Sequence, residues 1–507
     1  MSKQINAQPN PTQVNLSEWN STEHDETILV YGHFSTIHPG HIRFLRHAKS
    51  LGKTLIVALI GDKPTKSQVQ NRYSQSSRAE ALSLLRIIDI ILLLSGDELD
   101  QAIKLIKPDI LFLGSEMKKL PYILSCIGII NNQGGRVEFH GNDAQYVSTD
   151  LLSSSSIDIR KERVEKFKSM CKKYSITPKN LLGCIDNFSK SRILVIGDTI
   201  IDQFVACEAL GISAEAPVVV VRELANKNFL GAAGIVAAHI KSIGCKCELV
   251  SIVGNDDAGK FAQTQMEEIC LGGKLFIDKS RRTTFKKRYM VDNQKLFRVS
   301  RLEETNISSD LENQIINYIE MNAYRFDAIV ISDFVYGVIT PKIIASIKSY
   351  SVKYSLPIIG DLQCSSQVGS ILKFKDFTLL CPNERELRIA LQDKDSALEV
   401  LSQNLIAKTN SEKLIVKLAG EGFIFYHKTS EQSVISDAFP ALSVNPVDVA
   451  GAGDSVLAVM AAGLASKQDD FLTCAIACCM AQIAVETMGN TPVTKKELKN
   501  SITEILS

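Results

Sequence analysis

At 507 residues the chain exceeds what one hydrophobic core usually organises, and domains of ~100 to 250 residues imply two to four of them. Hydrophobic residues at 45% and charged residues at 22% suit a chain that folds and exclude a disordered one. Lysine plus arginine number 57 against 56 acids, so a formal charge of +1 leaves no global field for a nucleic acid or an anionic membrane.

Residues 1 to 26 are polar, rich in Asn, Gln, Ser and Thr, and lack apolar periodicity, which predicts a mobile tail. From Thr27 short β-rich runs alternate with helical stretches: ILVYG (28 to 32), IRFLRHAKSLG (42 to 52) and TLIVALIGD (54 to 62), a βαβ unit and hence a parallel sheet. Further strands are predicted at Ile90 to Leu94, Ile110 to Leu113 and Arg136 to Phe139. The charged helical stretch over 161 to 190, interrupted by Pro178, reads as a linker. A second α/β pattern begins at RILVIGD (192 to 198), passes through DAIVISD, LPIIGD, FTLLCPN and LIVKLAGEG, and ends in a helical tract from Ala450.

Twelve cysteines are scattered without a repeated CxxC or a Cys/His ligand spacing, and no charged n-region with an apolar h-region opens the chain. The longest apolar stretches, Arg86 to Ser95 and Ala458 to Ala465, fall short of the ~20 residues that span a bilayer. These features predict a cytoplasmic chain with reduced thiols, with no membrane and no nucleic-acid partner.

The segment YGHFSTIHPGHIRFL places His38 and His41 where a strand ends and a helix begins. A helix N-terminus offers free N–H groups and a positive dipole end, and two histidines three apart share one face, so both can donate to phosphate oxygens. The alternatives are two surface histidines beside a turn, or a metal site on His33, His38 and His41, for which no acidic or cysteine partner has a matching spacing. The HxGH pattern after a βαβ-opening strand resembles the nucleotidyltransferase superfamily that includes the cytidylyl- and adenylyltransferases. The likeness continues through Asp62, Thr65 and Lys66 after the second strand, Arg78, Gly114, and the serines Ser153 to Ser156. It implies His38 and His41 at the reacting phosphate, and Asp62, Lys66, Gly114, Ser154 and Ser155 on the nucleotide side. Two positions depart from the pattern: Ser35 stands where the family usually has Asp, and Ile60 where Asn is common.

In NPVDVAGAGDSVLAVMAAGLA, Gly451, Ala452 and Gly453 let backbone N–H groups converge at a helix start, an anion hole for a phosphoryl group in transit. Asp454 at the same turn can accept the proton of an attacking hydroxyl. The alternative is a glycine-rich turn with Asp454 as its cap. The string resembles the C-terminal signature of ribokinase-like carbohydrate kinases. Other pieces follow in that family's order: Asp202 in GDTIID and Gly231 in FLGAAG on the sugar side, then Asn383 and Glu386 in CPNERE, which would organise Mg2+ and phosphate through water. Gly420 and Gly422 in LAGEG match its nucleotide-side turn.

Within that family the likeness runs to the heptose-7-phosphate kinase half of bifunctional ADP-heptose synthesis enzymes, carried by AEAPVVVV, TTFKKRYMVDNQKLFRVSRLEE and ISDFVYGVIT. The cluster Arg281, Arg282, Lys286, Lys287 and Arg288 would then hold the substrate's phosphate, Lys286 and Arg288 foremost, unless it is a solvated strand edge. Gly234 replaces a usual Asn, Leu362 and Gln363 follow Asp361 where Pro-Lys is usual, and the domain order is reversed.

The fold expected is α/β throughout: a Rossmann-like HxGH nucleotidyltransferase domain over 27 to 160, and over 191 to 507 a ribokinase-like α/β domain with a small β lid. The resemblance implies ATP-dependent phosphorylation of D-glycero-D-manno-heptose 7-phosphate at the anomeric hydroxyl, with Mg2+ and with Asp454 as base. It further implies nucleotidyl transfer to a sugar 1-phosphate, giving ADP-heptose and pyrophosphate, after a separate phosphatase has acted. The partners are thus a sugar phosphate, a nucleoside triphosphate and a second copy of the chain in a dimer. Another sugar or polyol with CTP, or one non-catalytic domain acting in binding or regulation, are the alternatives.

Overall fold

The computed structural model describes residues 11–19, 26–34, 37, 39–62, 73–96, 98–114, 117, 120–140, 156–292, 294–364, 369–429 and 434–506. The chain divides into two compact units, the first Met1–Ser154 with Asp393–Leu401 and the second Ser155–Gln392 with Ser402–Ser507.

In the first unit six strands form one sheet: β1 (Thr12–Asn15), β2 (Thr27–Gly32), β3 (Thr54–Leu59), β4 (Ile90–Leu93), β5 (Ile110–Gly114) and β6 (Arg136–His140). Their order is β1-β4-β3-β2-β5-β6, every pair parallel. Strand periodicity of two sends alternate residues to opposite faces. Ile28 and Val30 pack with helices Pro39–Ser50 and Gln75–Ser83, while Leu29 and Tyr31 pack with helices Leu99–Ile106 and Pro121–Asn132. A sheet covered on both faces needs the near-continuous apolar runs that the sequence displays.

The stretch expected to be a tail is corrected in part. Residues Thr12–Asn15 pair with β4 at the sheet edge, and Leu16 and Trp19 pack against the Leu29 face. An edge strand is held by main-chain hydrogen bonds, so TQVN, with one apolar residue, shows no periodicity that a sequence reading can detect.

The second unit contains β7 (Arg192–Gly197), β8 (Thr199–Ile212), β9 (Val219–Ala232), β10 (Lys246–Gly254), β11 (Gly272–Asp278), β12 (Thr284–Val291) and β13 (Gln294–Arg301). It continues through β14 (Ala328–Asp333), β15 (Ile358–Leu362), β16 (Leu379–Leu380), β17 (Lys413–Lys417), β18 (Gly422–Lys428) and β19 (Val434–Pro440). Nine strands build the main sheet in the order β11-β10-β7-β14-β15-β16-β17-β18-β19, parallel except at the last two junctions. Four more, β13-β12-β8-β9, form the separate small sheet expected as a lid.

The expected linker over 161 to 190 is also corrected. Its residues lie in two helices, Ser156–Lys173 and Pro178–Asn187, whose Phe167, Met170, Leu181, Cys184 and Ile185 are buried in the second unit's core beside helix Asp470–Val485. The high charge of this stretch belongs to its solvent faces, and the apolar stripes decide where it packs. Phe167→Ala should therefore destabilise the second unit by ~3 to 5 kcal/mol. Trp19, the one tryptophan, lies in the first unit, so far-UV circular dichroism during urea unfolding is the appropriate measurement.

Candidate active site

In an open parallel sheet, ligand sites form beyond the carboxyl ends of the strands. Along the neighbours β7, β14, β15, β16 and β17, that edge carries Asp198, Asp333, Asp361, Asn383 and Lys417 in turn. Asp198 accepts hydrogen bonds from the backbone N–H groups of Phe334, Tyr336 and Val338 at 2.7, 3.3 and 3.4 Å, fixing the loop after β14. Burial first, and Asp333 second, push its carboxyl up to about 7.

Gly451 caps helix Ala452–Ala465 with φ +82°, and a Cβ there would stand 3.1 Å from Asn490 Oδ1. Only glycine takes that left-handed conformation without strain. The expected anion hole Gly451, Ala452 and Gly453 thus sits at a helix N-terminus, whose first N–H groups lack intrahelical partners. Asp454 lies in the first turn, buried, and Gln363 Nε2 donates to its Oδ1 at 2.8 Å. The same nitrogen lies 3.0 Å from Asp361 Oδ2, and Lys417 Nζ donates to Asp361 Oδ1 at 2.7 Å. Burial pushes the Asp454 carboxyl up to about 7, and Asp361 adds to this while Lys417 and Gln363 oppose it. A group that titrates near neutrality and faces a cavity suits general base catalysis.

That cavity, about 440 Å³, is lined by Gln363, Asn383, Lys417, Gly420, Gly422 and the Gly451–Asp454 turn. Gly422 has φ +102°, and a Cβ would meet Phe439 O at 2.0 Å, whereas Gly420 has open space around it. Asn383 and Glu386 close a reciprocal cap on helix Glu384–Leu391: Glu386 N donates to Asn383 Oδ1 at 2.8 Å, and Asn383 N donates to Glu386 Oε2 at 2.8 Å. Glu386 Oε1 also accepts from Cys364 N at 3.1 Å. Among the described residues no group of three or more His, Cys, Asp or Glu side chains is set to hold a metal ion. The oxygen donors here fit an Mg2+ that arrives on nucleotide phosphates and is reached through waters, the usual mode for that ion.

Asp202, expected on the sugar side, is buried in β8, where Arg288 pairs with Oδ1 and Asn490 Nδ2 donates to Oδ2 at 2.8 Å. A Cβ on Gly231 would come within 2.4 Å of Asp202 Oδ2, which explains the glycine. Parallel register sets Lys286 beside Asp202, and Arg288 two residues on shares that face. Lys286 is buried, its ammonium 5.3 Å from the ring centroids of both Phe334 and Tyr336. The expected basic cluster therefore divides. Lys287 alternates to the opposite face, 3.5 Å from Glu223, and Arg281 is held by Asp278 and the carbonyls of Tyr336 and Thr305.

In the first unit the ring of His41 lies 5.2 Å from that of Phe34 at the end of β2. Gly114 closes β5, paired with His140. Arg78 is fully buried and donates to His33 O, Ile60 O and Asp62 Oδ1 at 2.5, 2.9 and 2.9 Å, riveting the ends of β2 and β3 together. Asp62 Oδ2 accepts from Gln75 N at 3.0 Å, and that bond, with Arg78 beside it, holds its carboxyl below the usual range. Asp62 therefore anchors a helix start in addition to lying at the strand end. His38, Lys66, Ser154 and Ser155 fall outside the described residues.

Sequence reading missed Gln363, Lys417 and Asn490. A lysine ending the apolar strand LIVK was a visible signal for Lys417. Asn490 had none, since it meets Asp202 only in three dimensions.

The fold is shared with solved structures of Phosphofructokinase-2 from Escherichia coli. The complex with substrates and products matches at a TM-score of 0.52 and 15% identity, covering 62% of this chain and 99% of that one. The complex with potassium matches at 0.51 and 14%, with the same coverages. Fold and family model together define a carbohydrate-kinase type of α/β protein. The family model described as pfkB family carbohydrate kinase matches residues 190–496, more than half of the chain, and the chain belongs to that family. A cytidylyltransferase-like model matches residues 29–125, within the first unit.

Among curated relatives, the bifunctional protein HldE of Campylobacter jejuni is 35% identical over 320 residues, 61% of this chain and 64% of that protein. HldE of Pelobacter propionicus is 29% identical over 332 residues, 64% of this chain and 66% of that protein. The chain thus spans a little under two thirds of their length. No helix among the described residues is long and apolar enough to cross a membrane.

A buried aspartate acting as base must be ionised to work. Kinase turnover should fall as pH drops through about 7, and Asp454→Asn should lower it by at least ~100-fold at every pH, both read as ADP release.

Proposed function

We propose that the second unit transfers the γ-phosphoryl of ATP to the anomeric hydroxyl of D-glycero-D-manno-heptose 7-phosphate. The observation that carries the kinase reading is Asp454 at the start of a helix with a glycine cap, with Asn490 hydrogen-bonded to Asp202 and placed beside Gly451 of that turn. The hydroxyl oxygen bonds to the γ-phosphorus as the bond from that phosphorus to the β–γ bridging oxygen breaks. The hydroxyl proton passes to Asp454, and ADP leaves with the bonding electron pair. Asp202 orients the sugar, Lys286 and Arg288 meet its distal phosphate, and the amides of Gly451 to Gly453 receive the phosphoryl oxygens. Asn383 and Glu386 would hold Mg2+ through waters, and Gly420 and Gly422 leave room for the nucleotide. Bound Mg2+ supplies charge neutralisation across the β- and γ-phosphates.

The first unit, on this reading, joins a sugar 1-phosphate to a nucleotide with release of pyrophosphate, using His38 and His41 at the attacked phosphate and Asp62, Lys66, Gly114, Ser154 and Ser155 around the nucleotide. The likeness to bifunctional proteins supports two activities in one chain, and the heptose resemblance supports ATP as nucleotide donor. The cytidylyltransferase-like match on residues 29–125 favours CTP as the second reading. The site of action proposed is the cytoplasm, where both nucleotides are made.

The small sheet exposes Ile212, Val219, Leu224 and Val299, each more than half accessible. Apolar residues gathered on one sheet suit a second copy of the chain, so a dimer is proposed. Ile212→Glu with Leu224→Glu should convert a dimer to a monomer in sedimentation velocity.

Heptose 7-phosphate with magnesium and ATP should release ADP at a rate of ~1 s⁻¹ or more. Turnover only of another sugar would overturn the heptose assignment and keep the kinase. Pyrophosphate release with heptose 1-phosphate should require ATP. Release with CTP alone would favour the second reading.

A further inference from the structure

Lys417 ends β17 with its side chain in the cavity already described, 13% exposed. Its Nζ donates to Asp361 Oδ1 at 2.7 Å and lies 3.3 Å from where a Cβ on Gly453 would stand. The ammonium therefore lies near the same turn, and both line the cavity. An ammonium carries three N–H donors, and Asp361 takes one of them.

The charge balance at this spot is adverse to an incoming phosphate. Asp454 lines the cavity, and Asp361 and Glu386 are buried close enough to act on Lys417. Backbone amides supply only dipoles against them. Among the described residues lining the cavity Lys417 is the one cation, paired with Asp361 and close to the turn. Burial lowers its pKa, but Asp361 and Glu386 more than offset this and hold it above the usual lysine value, so the ammonium keeps its proton. Resting on the carbohydrate-kinase reading of this site, we infer that Lys417 is a direct ligand of the phosphoryl group in transit, donating to an oxygen of the γ-phosphate while Asp361 holds the ammonium in place. During transfer the new oxygen–phosphorus bond forms, the bond to the bridging oxygen breaks, and the proton goes to Asp454. Lys417 stays charged throughout and gains contact as charge moves onto the phosphoryl oxygens.

A lysine present only to neutralise Asp361 would not distinguish ATP from ADP. The test is calorimetric titration of the full chain with magnesium ATP and with magnesium ADP, which needs no sugar, followed by turnover with the sugar phosphate that the wild type accepts. Titration is repeated with the histidine pair of the first unit changed to alanine, so that only the kinase cavity is read. In Lys417→Met the ATP affinity should fall about tenfold or more while ADP affinity moves less than about twofold, and kcat should fall by ~100-fold or more. Lys417→Arg should recover part of both. Equal losses for ATP and ADP, or kcat within about threefold of wild type, would sink the inference and leave the kinase standing.

If Lys417→Met unfolds for want of a partner to Asp361, the comparison moves to Lys417→Met against Lys417 intact, both in an Asp361→Asn background. A wild type whose second unit binds no magnesium ATP would overturn the kinase reading itself, and this inference with it.

Discussion

Lys417 and Asp361 meet between the ends of two strands of one sheet, and Asp361 is wholly buried. A carboxylate withdrawn from water with no partner costs several kcal/mol, so such groups persist only when paired and hydrogen-bonded. Here one oxygen of Asp361 takes the ammonium and the other faces the Gln363 amide, which in turn reaches Asp454. Two strand ends and a helix start are thereby held in one polar network. Removing any member leaves a buried group unsatisfied, which makes the arrangement rigid and holds Asp454 where burial first, and its neighbours second, set its proton affinity.

The proposed sugar side is built on a different principle. Asp202 is reached by Arg288 from the small sheet and by Asn490 from the loop after helix Asp470–Val485, while Asn490 also abuts Gly451. A second tether joins small sheet to anion turn, since Lys295 Nζ donates to Asp448 Oδ1 at 2.6 Å and Ala450 N donates to the same oxygen at 3.0 Å. The small sheet and the glycine turn are thus linked through side chains, so a shift of the one is felt at the other. That is the coupling expected where closure over substrate assembles the reacting groups.

Both ends of the second unit's site were partly legible in sequence, for a local reason. Glycines whose φ is positive, or whose Cβ would strike a neighbour, leave a fixed mark on the chain: Gly231, Gly422 and Gly451 were all singled out, and each proves sterically required. Charged side chains leave a weaker mark. Five basic residues between 281 and 288 looked like one cluster, yet Arg281 is held by local carbonyls and Lys287 alternates to the opposite face, while Lys286 and Arg288 lie on the face of Asp202. In the first unit Arg78 matched a nucleotide-binding pattern, but its guanidinium is spent on the ends of β2 and β3. Long cationic side chains find partners by reach, and reach is not written in spacing.

The sequence by itself determined the class of fold, the order of the two units and the glycine-rich turns, because apolar periodicity and backbone conformation are local properties. It also located Asp454 and Asp202, whose neighbours in the chain constrain them. Only the tertiary structure decided that residues 161 to 190 belong to a core, that Thr12–Asn15 completes a sheet edge, and that Lys417, Gln363 and Asn490 join the site. Those facts depend on groups brought together from 56 to 288 positions apart, and on main-chain pairing that any side chain permits. Local pattern records what a segment must do with its own backbone and apolar face. The partner of a buried charge is chosen by the packing of the whole unit.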